Sequence, residues 1–310
     1  MKGVLPLVFV LMIMVIVILG YYNLKQQSTI ELLNEEIFEQ HIQFYKSNFD
    51  VISIEELESL SKSTSKFNQK FAIISFDDGY IDNYELAYPI LKSYQTPAIF
   101  FIATDFIDKE VLPWWDEIAF LLRQSCGKTY RLLNTGKSFT LQKATIDRTI
   151  QRIMSAAKVL EHHSIEEVLS DVREQFHEAK MMAEENKQQL FMSWNQVKEM
   201  AVSGMEIGSH TISHRILSQL SLSQQEHEIV TSKQVIESRI SKPVHSIAYP
   251  VGRYYCYNQS SFTYAQQAGY LIGFNNEPGY HRSISNEFDI NRFCVSNNNF
   301  DFVKFECCFK

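Results

Sequence analysis

The stretch "FAIISFDDGY" (71–80) decides the fold class, because it joins a continuous apolar run to two adjacent carboxylates. An uninterrupted apolar run of this length is typical of a strand that is covered on both faces, as in parallel sheets. A helical pattern follows in "NYELAYPILKSY" (83–94), and a second apolar strand follows in "TPAIFFIAT" (96–104). Strand, helix and strand in this order predict an α/β protein with a parallel sheet and crossover helices.

Three later segments repeat this pattern, since each is a short apolar strand that follows a helical stretch and ends in a polar residue or a turn. They are "MEIGSH" (205–210), "HSIAYP" (245–250) and "YLIGFN" (270–275). Between the two groups of strands, residues from about 113 to 190 carry long charged helical patterns and a predicted hairpin at 129–142. We interpret this region as a helical insertion into one large α/β domain.

The N-terminus differs from the rest, because residues 3–22 form an uncharged apolar run. A helix of about 20 apolar residues is long enough to cross the hydrocarbon core of a bilayer. No small-residue cleavage site follows the run, so we expect residues 1–23 to be an uncleaved transmembrane anchor and residues 24–310 to be the folded part. Two positive charges, Lys2 and the N-terminal amine, precede the run, and one, Lys25, follows it closely. Because the more positive flank of a membrane helix tends to stay in the cytoplasm, we expect a single-pass protein whose folded part lies outside the cytoplasm.

Composition excludes several classes of protein. The formal charge of −7 and the absence of a basic cluster argue against nucleic-acid binding, which needs a concentrated positive face. The five cysteines are scattered and include no C-x-x-C pair, so neither a zinc knuckle nor a disulfide scaffold is indicated. With 45% hydrophobic residues in a chain of 310, the sequence can bury the core of a large globular domain.

Candidate metal ligands follow two of the predicted strands. Asp77 and Asp78 end the first apolar run, and His210 and His214 lie four residues apart in "EIGSHTISH" (206–214). Parallel β/α barrels place their chemistry at the C-terminal ends of the strands, where these side chains are expected. Two histidines and a carboxylate that leave positions open for water are typical of a catalytic metal site. Each motif alone is unspecific, since Asp-Gly is common in turns, but their joint occurrence favours a metal site.

Five segments together resemble the motifs of a known family, the polysaccharide deacetylases of the NodB-homology, carbohydrate esterase 4 type. They are "SFDDG" (75–79), "SHTISH" (209–214), "AYPVG" (248–252), "AGYLIGFNNEPG" (268–279) and "FDINRFCV" (288–295). The first two segments are the specific part of the resemblance. It spans about residues 36–295 and implies a distorted (β/α)7-type barrel that carries the helical insertion and follows the N-terminal transmembrane helix.

The resemblance implies the hydrolysis of N-acetyl groups from N-acetylated sugar residues of a cell-surface or exported polysaccharide, which gives acetate and a free amine. Asp78, His210 and His214 would hold a divalent metal ion, with zinc as the favoured ion. Asp77 would act as the base that takes a proton from the attacking water. The backbone N–H of Val251 would stabilise the developing oxyanion.

Three positions depart from the family pattern. Ala248 stands where the family usually has an arginine that holds the catalytic base, and either Arg253 or Arg292 could replace it. We favour Arg292, because it lies near the end of a late strand and a guanidinium can hold a carboxylate through two hydrogen bonds. The last motif lacks the usual histidine that protonates the leaving amine, and His281 is the nearest candidate. Phe274 takes the place of a tryptophan found near the fourth motif.

Candidate substrate-binding residues are Tyr249, Pro250 and Gly252 of the third motif and Trp114 at the start of the insertion. An aromatic ring such as that of Trp114 can stack on a sugar, although core packing is the usual role of a large aromatic residue. The expected partners are the N-acetylated glycan, the membrane through the N-terminal helix, and proteins of a polysaccharide assembly system through the insertion. A role of the insertion as a lid is the alternative.

Two other functions are compatible with the sequence. A catalytically silent glycan-binding barrel would explain why the last motif has no histidine and why Ala248 replaces an arginine. The same hydrolytic chemistry on a non-carbohydrate amide or ester is the second alternative. The adjacent Asp77 and Asp78 favour an enzyme over a binding protein, because a binding site would need no base beside its metal ligand.

Overall fold

A computed structural model shows the chain as an α/β protein. It describes residues 35–62, 70–109, 112–133, 135–160, 165–179, 190–279, 281 and 286–295. The predicted anchor at residues 1–23 lies outside these ranges, and none of the helices within them is long and apolar enough to cross a membrane. The chain separates into two compact units. Within the described ranges, the first unit consists of Gln27–Lys109 and Phe191–Lys310, and the second unit consists of Glu110–Leu190.

The strands in the described part of the chain are short and belong to three sheets. In chain order they are β1 (Asp50–Val51), β2 (Phe71–Ala72), β3 (Ser75–Phe76), β4 (Ile99–Ile102), β5 (Thr129–Arg131), β6 (Ser138–Thr140), β7 (Glu206–Ser209), β8 (Ser246–Ala248) and β9 (Ile272–Phe274). The main sheet is parallel and has the order β3-β4-β7-β8-β9. Each new strand joins beside the previous one, as expected when helical crossovers connect parallel neighbours. This confirms the predicted parallel α/β fold, and closure into a seven-stranded barrel stays a prediction.

The apolar run at residues 71–76 forms two strands, where the sequence predicts one. β2 pairs in parallel with β1, and β3 pairs in parallel with β4. The change of partner occurs between Ala72, whose carbonyl accepts a hydrogen bond from Ile52 N, and Ile74, whose carbonyl accepts one from Ile99 N. A continuous apolar run signals burial on both faces but does not specify which neighbour a strand pairs with, so the prediction of one strand was wrong.

Helices connect the strands of the first unit and make up most of the second. They are α1 (Glu35–Asn48), α2 (Ile54–Lys62), α3 (Tyr88–Ser93), α4 (Trp114–Gln124), α5 (Ile146–Ala157), α6 (Ile165–Gln175), α7 (Trp194–Val202), α8 (Leu222–Ile240) and α9 (Gln259–Gln267). Capping boxes at Ser193, Ser221 and Asn258 begin the crossover helices α7, α8 and α9. Each cap satisfies free N–H groups of the first helical turn and so determines where the loop ends.

The core of the first unit lies among its strands, where one buried cluster includes Phe71, Phe101, Ala248, Phe274 and Ile290. These residues come from strands far apart in the sequence and from the last described segment. In the second unit, α4, α5 and α6 pack with the β5–β6 hairpin. This hairpin occupies the stretch in which the sequence predicts one.

Candidate active site

The two adjacent carboxylates separate because the chain bends at the end of β3. Asp78 has a φ of 73° and Gly79 a φ of 86°, and Gly79 N donates a hydrogen bond to Asp77 O at 3.0 Å. Neighbouring residues of an extended strand point to opposite sides, so the bend is what gives Asp77 and Asp78 different positions around one site. A positive φ at a residue other than glycine costs free energy, and such strain is found most often at functional sites.

Asp78, His210 and His214 come together as a candidate metal site. The Oδ1 atom of Asp78 lies 3.4 Å from His210 Nε2 and 3.3 Å from His214 Nε2. Ligands about 2.1 Å from a tetrahedral ion lie about 3.4 Å from one another, so these separations match those around a zinc ion. Carboxylate and imidazole, the two ligand types present, are those that zinc and similar divalent ions bind.

Burial supports the same interpretation. The side chains of Asp78, His210 and His214 are nearly inaccessible, and Asp78 Oδ1 accepts no hydrogen bond from the described residues. Burial raises the pKa of Asp78 above its usual value, because a carboxylate removed from solvent is destabilised, although the neighbouring His210 acts in the opposite direction. Burial alone would lower the pKa of His210, but the nearby carboxylates of Asp77 and Asp78 raise it. A divalent cation would compensate the carboxylate and take the free lone pair, so the three residues fit a metal ion.

The rings of the histidines are held by groups outside the ligand set. His210 Nδ1 lies 2.7 Å from the carbonyl oxygen of Ala248, so this nitrogen carries the proton and Nε2 is left to face Asp78. Ala248, which departs from the family pattern in its side chain, therefore contributes through its backbone. The sequence offered no signal for this contact, because a carbonyl is present at every position.

Glu228 of α8 holds the loop between the two histidines. Its Oε2 accepts hydrogen bonds from Ile212 N at 2.8 Å and Ser213 N at 3.0 Å, and its Oε1 accepts one from the Ser213 hydroxyl. The loop needs this support, because Thr211 and His214 have φ values of 66° and 56°. Sequence reasoning missed Glu228, since a single glutamate in a polar helical stretch has no distinguishing pattern.

Arg292 contacts Asp77 in the way that the sequence predicts. Its two terminal nitrogens donate to Asp77 Oδ1 at 3.0 Å and to Oδ2 at 2.8 Å. Its Nε donates to the carbonyl oxygen of Asn275 at 2.6 Å, and its guanidinium lies 5.5 and 5.8 Å from the rings of Phe101 and Phe274. Arg292 is therefore fully buried with all three nitrogens engaged, and Asp77 is held in one orientation.

Arg253, the other candidate for this role, has a different position. It pairs with Glu277 at 3.1 Å, and 44% of its side chain is exposed, so it forms a surface ion pair. Arg292, which the sequence favours over Arg253, is therefore the arginine that pairs with Asp77.

The third motif forms a tight loop. Val251 and Gly252 have φ values of 62° and 66°, and Gly252 N donates to Pro250 O at 2.7 Å. A Cβ atom on Gly252 would lie 2.6 Å from Asn276 Cβ and 2.7 Å from Asn276 N, so no other residue fits here without movement. The carbonyl of Gly252 also accepts a hydrogen bond from Asn276 N at 2.7 Å. The loop is therefore fixed beside Asn275, the residue that holds Arg292, and the role of the Val251 N–H stays a prediction.

Tyr249 is a correction to the predicted substrate-binding set. Its side chain is completely buried, its hydroxyl donates to Phe288 O at 3.0 Å, and its ring stacks on Tyr257 at 4.9 Å. A ring enclosed in this way packs the core and cannot contact a substrate. The prediction failed because motif position shows that a residue lies near a site but does not show which way its side chain points.

His281 is also poorly suited to the role of general acid. Its Nε2 accepts a hydrogen bond from Asn291 N at 2.8 Å, which leaves only Nδ1 to carry a proton in the neutral ring. Burial lowers the pKa of His281, so the protonated form that an acid needs is disfavoured. The contact with Asn291 instead supports the segment that carries Arg292.

Trp114 lies in the second unit, at the first residue of α4. Its ring meets that of Trp115 edge-on at 5.2 Å, and the Lys158 ammonium lies 5.7 Å from its centre. These contacts are those of a partly buried packing residue, and substrate binding by Trp114 stays a prediction.

Comparison with known proteins agrees with the site. A profile of the polysaccharide deacetylase family matches residues 64–273, more than half of the chain, and the chain therefore belongs to this family. It is 25% identical over 280 residues to YxkH of Bacillus subtilis (strain 168), a proposed polysaccharide deacetylase, and the match covers 90% of this chain and 71% of YxkH.

Two solved structures have a similar fold. The deacetylase PplD of Streptococcus pyogenes, determined with acetate, aligns with a TM-score of 0.60 and 19% identity over 98% of each chain. A de-N-acetylase of Aggregatibacter actinomycetemcomitans aligns with a TM-score of 0.56 and 17% identity, over 96% of this chain and 98% of that chain. With its family established, the protein is a hydrolase that acts on N-acetyl groups.

Proposed function

We propose that this protein is a metal-dependent deacetylase of N-acetylated sugar residues in a cell-surface or exported polysaccharide. The observation that carries the proposal is the division of roles between Asp77 and Asp78. Asp78 faces the two histidines, while Asp77 is held by Arg292 with two hydrogen bonds. A ligand set beside an oriented carboxylate is what a hydrolytic metal site needs, and a binding site has no use for it.

The position of each site residue suggests its role in the proposed reaction. Asp78, His210 and His214 would hold a divalent cation, which supplies Lewis acidity that polarises the acetamide carbonyl and makes water a stronger acid. The Oδ2 atom of Asp77, 3.9 Å from His210 Nε2, takes the proton of the attacking water through the lone pair that Arg292 leaves free. The N–H of Val251 stabilises the negative charge that develops on the carbonyl oxygen.

The leaving amine needs a proton, and Asp77 is our candidate to give it. His281 is engaged with Asn291 and has a lowered pKa. Asp77, once protonated by the attacking water, can return that proton to the sugar nitrogen as the C–N bond breaks. One carboxylate then serves as base and acid in turn, so the last motif does not need a histidine.

The test is acetate release from N-acetylglucosamine oligomers by the full-length chain with added zinc. Asp77→Asn should lose at least about a hundredfold in kcat and keep its metal, because general acid–base catalysis contributes roughly that much. His210→Ala should lose both activity and metal. The control is His227→Ala, an exposed histidine on α8 that should change neither. No acetate from a folded, zinc-loaded wild type would contradict the proposal and favour the silent binding protein or another amide.

The location and the partners are further parts of the proposal. The apolar run at residues 3–22 supports a single-pass anchor with the catalytic unit outside the cytoplasm. An alkaline phosphatase fusion at the C-terminus should be active if this is right and inactive if the catalytic unit is cytoplasmic.

The insertion is proposed to dock proteins of a polysaccharide assembly system, because it forms a compact unit of its own. Replacing residues 113–190 with a short linker should abolish polymer modification in cells and leave acetate release from short oligomers intact. Loss of acetate release by a folded deletion variant would instead favour a lid.

A further inference from the structure

Tyr254 combines a highly exposed side chain with a position beside the loop of the third motif. With 76% of its surface accessible, it is the most exposed large apolar side chain in the ranges that the structure describes. Single exposed apolar residues are common, so exposure alone assigns no role. Tyr254, however, follows Val251 and Gly252 by only three and two residues, and so extends the loop that the proposed mechanism uses for the oxyanion. Its ring meets Tyr255 edge-on at 5.3 Å.

Glu277 connects the backbone of Tyr254 to the proposed catalytic residues. Its Oε1 accepts a hydrogen bond from Tyr254 N at 3.0 Å, and its Oε2 accepts one from Arg253 at 3.1 Å. Its carbonyl oxygen accepts a hydrogen bond from Arg292 N at 3.0 Å, and Arg292 holds Asp77. Glu277 therefore contacts both the backbone of Tyr254 and Arg292, the residue that holds the proposed base Asp77.

We propose that Tyr254 is a substrate-binding residue whose ring stacks on the face of a sugar next to the one that loses its acetyl group. A pyranose presents apolar C–H groups on its face, and an aromatic ring offers a large apolar surface with few rotatable bonds to immobilise. Glu277 is the positioning residue that holds the loop. This inference rests on the proposed function and adds to it the residue that binds the neighbouring sugar of the chain.

The first test is steady-state acetate release from the N-acetylglucosamine pentamer by the full-length chain with zinc. Tyr254→Ala should raise KM roughly tenfold with kcat within about twofold, because the stacking surface is lost and the reacting groups are not touched. Tyr254→Phe should keep the wild-type KM, since it keeps the ring face. The matched control is Tyr264→Ala, a half-exposed tyrosine on α9, which should also keep it.

A binding measurement separates this inference from the proposed function. Calorimetry with the same pentamer should show a roughly tenfold weaker Kd when Tyr254→Ala is added to the Asp77→Asn variant. An unchanged KM and Kd in an active enzyme would overturn the stacking role and leave the deacetylase function standing. A kcat loss with a lowered Tm in Tyr254→Ala, or no pentamer binding by Asp77→Asn, would also overturn it. If wild type releases no acetate, the proposed function fails. The comparison of Kd between Asp77→Asn and the double variant with Tyr254→Ala then still tests whether Tyr254 binds the sugar chain.

Discussion

At the residue scale, the chemistry of the site depends on how two neighbouring aspartates differ in their partners. Asp77 is charge-paired with Arg292 through two hydrogen bonds, whereas Asp78 Oδ1 accepts none from the described residues and faces His210 and His214. Pairing with Arg292 suits Asp77 to the proposed role of an oriented base, and the position of Asp78 beside two histidines suits it to the proposed role of a metal ligand.

Arg292→Lys should lower kcat by about a hundredfold and leave the metal content unchanged. A lysine keeps the charge but cannot make two parallel hydrogen bonds, so Asp77 loses its fixed orientation, and small displacements of catalytic groups are costly. The measurement is acetate release together with bound zinc per chain. Arg253→Lys, the same change in the exposed ion pair with Glu277, is the control and should retain wild-type kcat. Equal activity in both variants would mean that Arg292 does not position the base.

Gly252→Ala should destabilise the protein by about 2–4 kcal/mol, more than Gly269→Ala, which should cost about 1 kcal/mol. Both glycines have positive φ, so the conformational strain is similar, but only at Gly252 would the new Cβ overlap Asn276. Gly269 has no heavy atom within 4 Å of the added Cβ. Urea unfolding of the two variants gives the difference, and equal losses would show that the loop at Gly252 can move away from Asn276.

At the element scale, long-range contacts add to the local signals that begin helices and hold loops. Glu228 of α8 holds the loop between the two histidines, and Glu206 at the start of β7 accepts a hydrogen bond from Ile54 N, the first residue of α2, at 2.7 Å. Ser53 and Glu56 add a capping box at the same helix end, with bonds of 2.8 and 3.1 Å. Local capping signals can be found in a sequence, whereas a cap supplied by a distant strand cannot.

Glu206→Gln should stabilise the protein at pH 8 by about 1–3 kcal/mol and change little at pH 5. Burial raises the pKa of Glu206 from 4.5 to about 7, with the nearby Glu55 and Glu56 adding to the effect. The folded state then holds a proton that the unfolded state has lost, so wild-type stability falls as the pH rises from about 4.5 to 7. A glutamine at this position stays neutral at every pH, so Glu206→Gln removes this loss of stability.

Urea unfolding at pH 5 and pH 8 measures the effect. Glu226→Gln, an exposed residue of α8, is the control and should show the same small difference at both values. A stability gain for Glu206→Gln that does not depend on pH would contradict the ionisation argument.

At the scale of the whole molecule, the candidate metal site joins strand ends that are far apart in the sequence. Asp78 follows β3 and the histidines follow β7, and these strands lie on either side of β4 in the sheet. An ion that binds them all stabilises the folded state over the unfolded one, in which the ligands are separated.

Zinc at about a hundredfold excess over Kd should stabilise the wild type by about 2.7 kcal/mol, and a chelator should remove the effect. Thermal unfolding with and without zinc is the measurement. His210→Ala should lose the zinc-dependent rise in Tm, and the exposed His227→Ala should retain it. A zinc effect that survives in His210→Ala would place the ion elsewhere.

The sequence by itself determined the alternation of strands and helices, the parallel sheet, the family, and the residues that form the candidate metal site. These follow from local patterns: apolar runs, helical periodicity, and short motifs at strand ends. The sequence favoured Arg292 over Arg253 as the partner of Asp77, and the structure shows that contact. Only the tertiary structure decided that Tyr249 packs in the core, that Glu228 supports the histidine loop, and that residues 71–76 form two strands. The reason is that side-chain direction and strand partners depend on contacts between residues far apart in the chain, which no local pattern encodes.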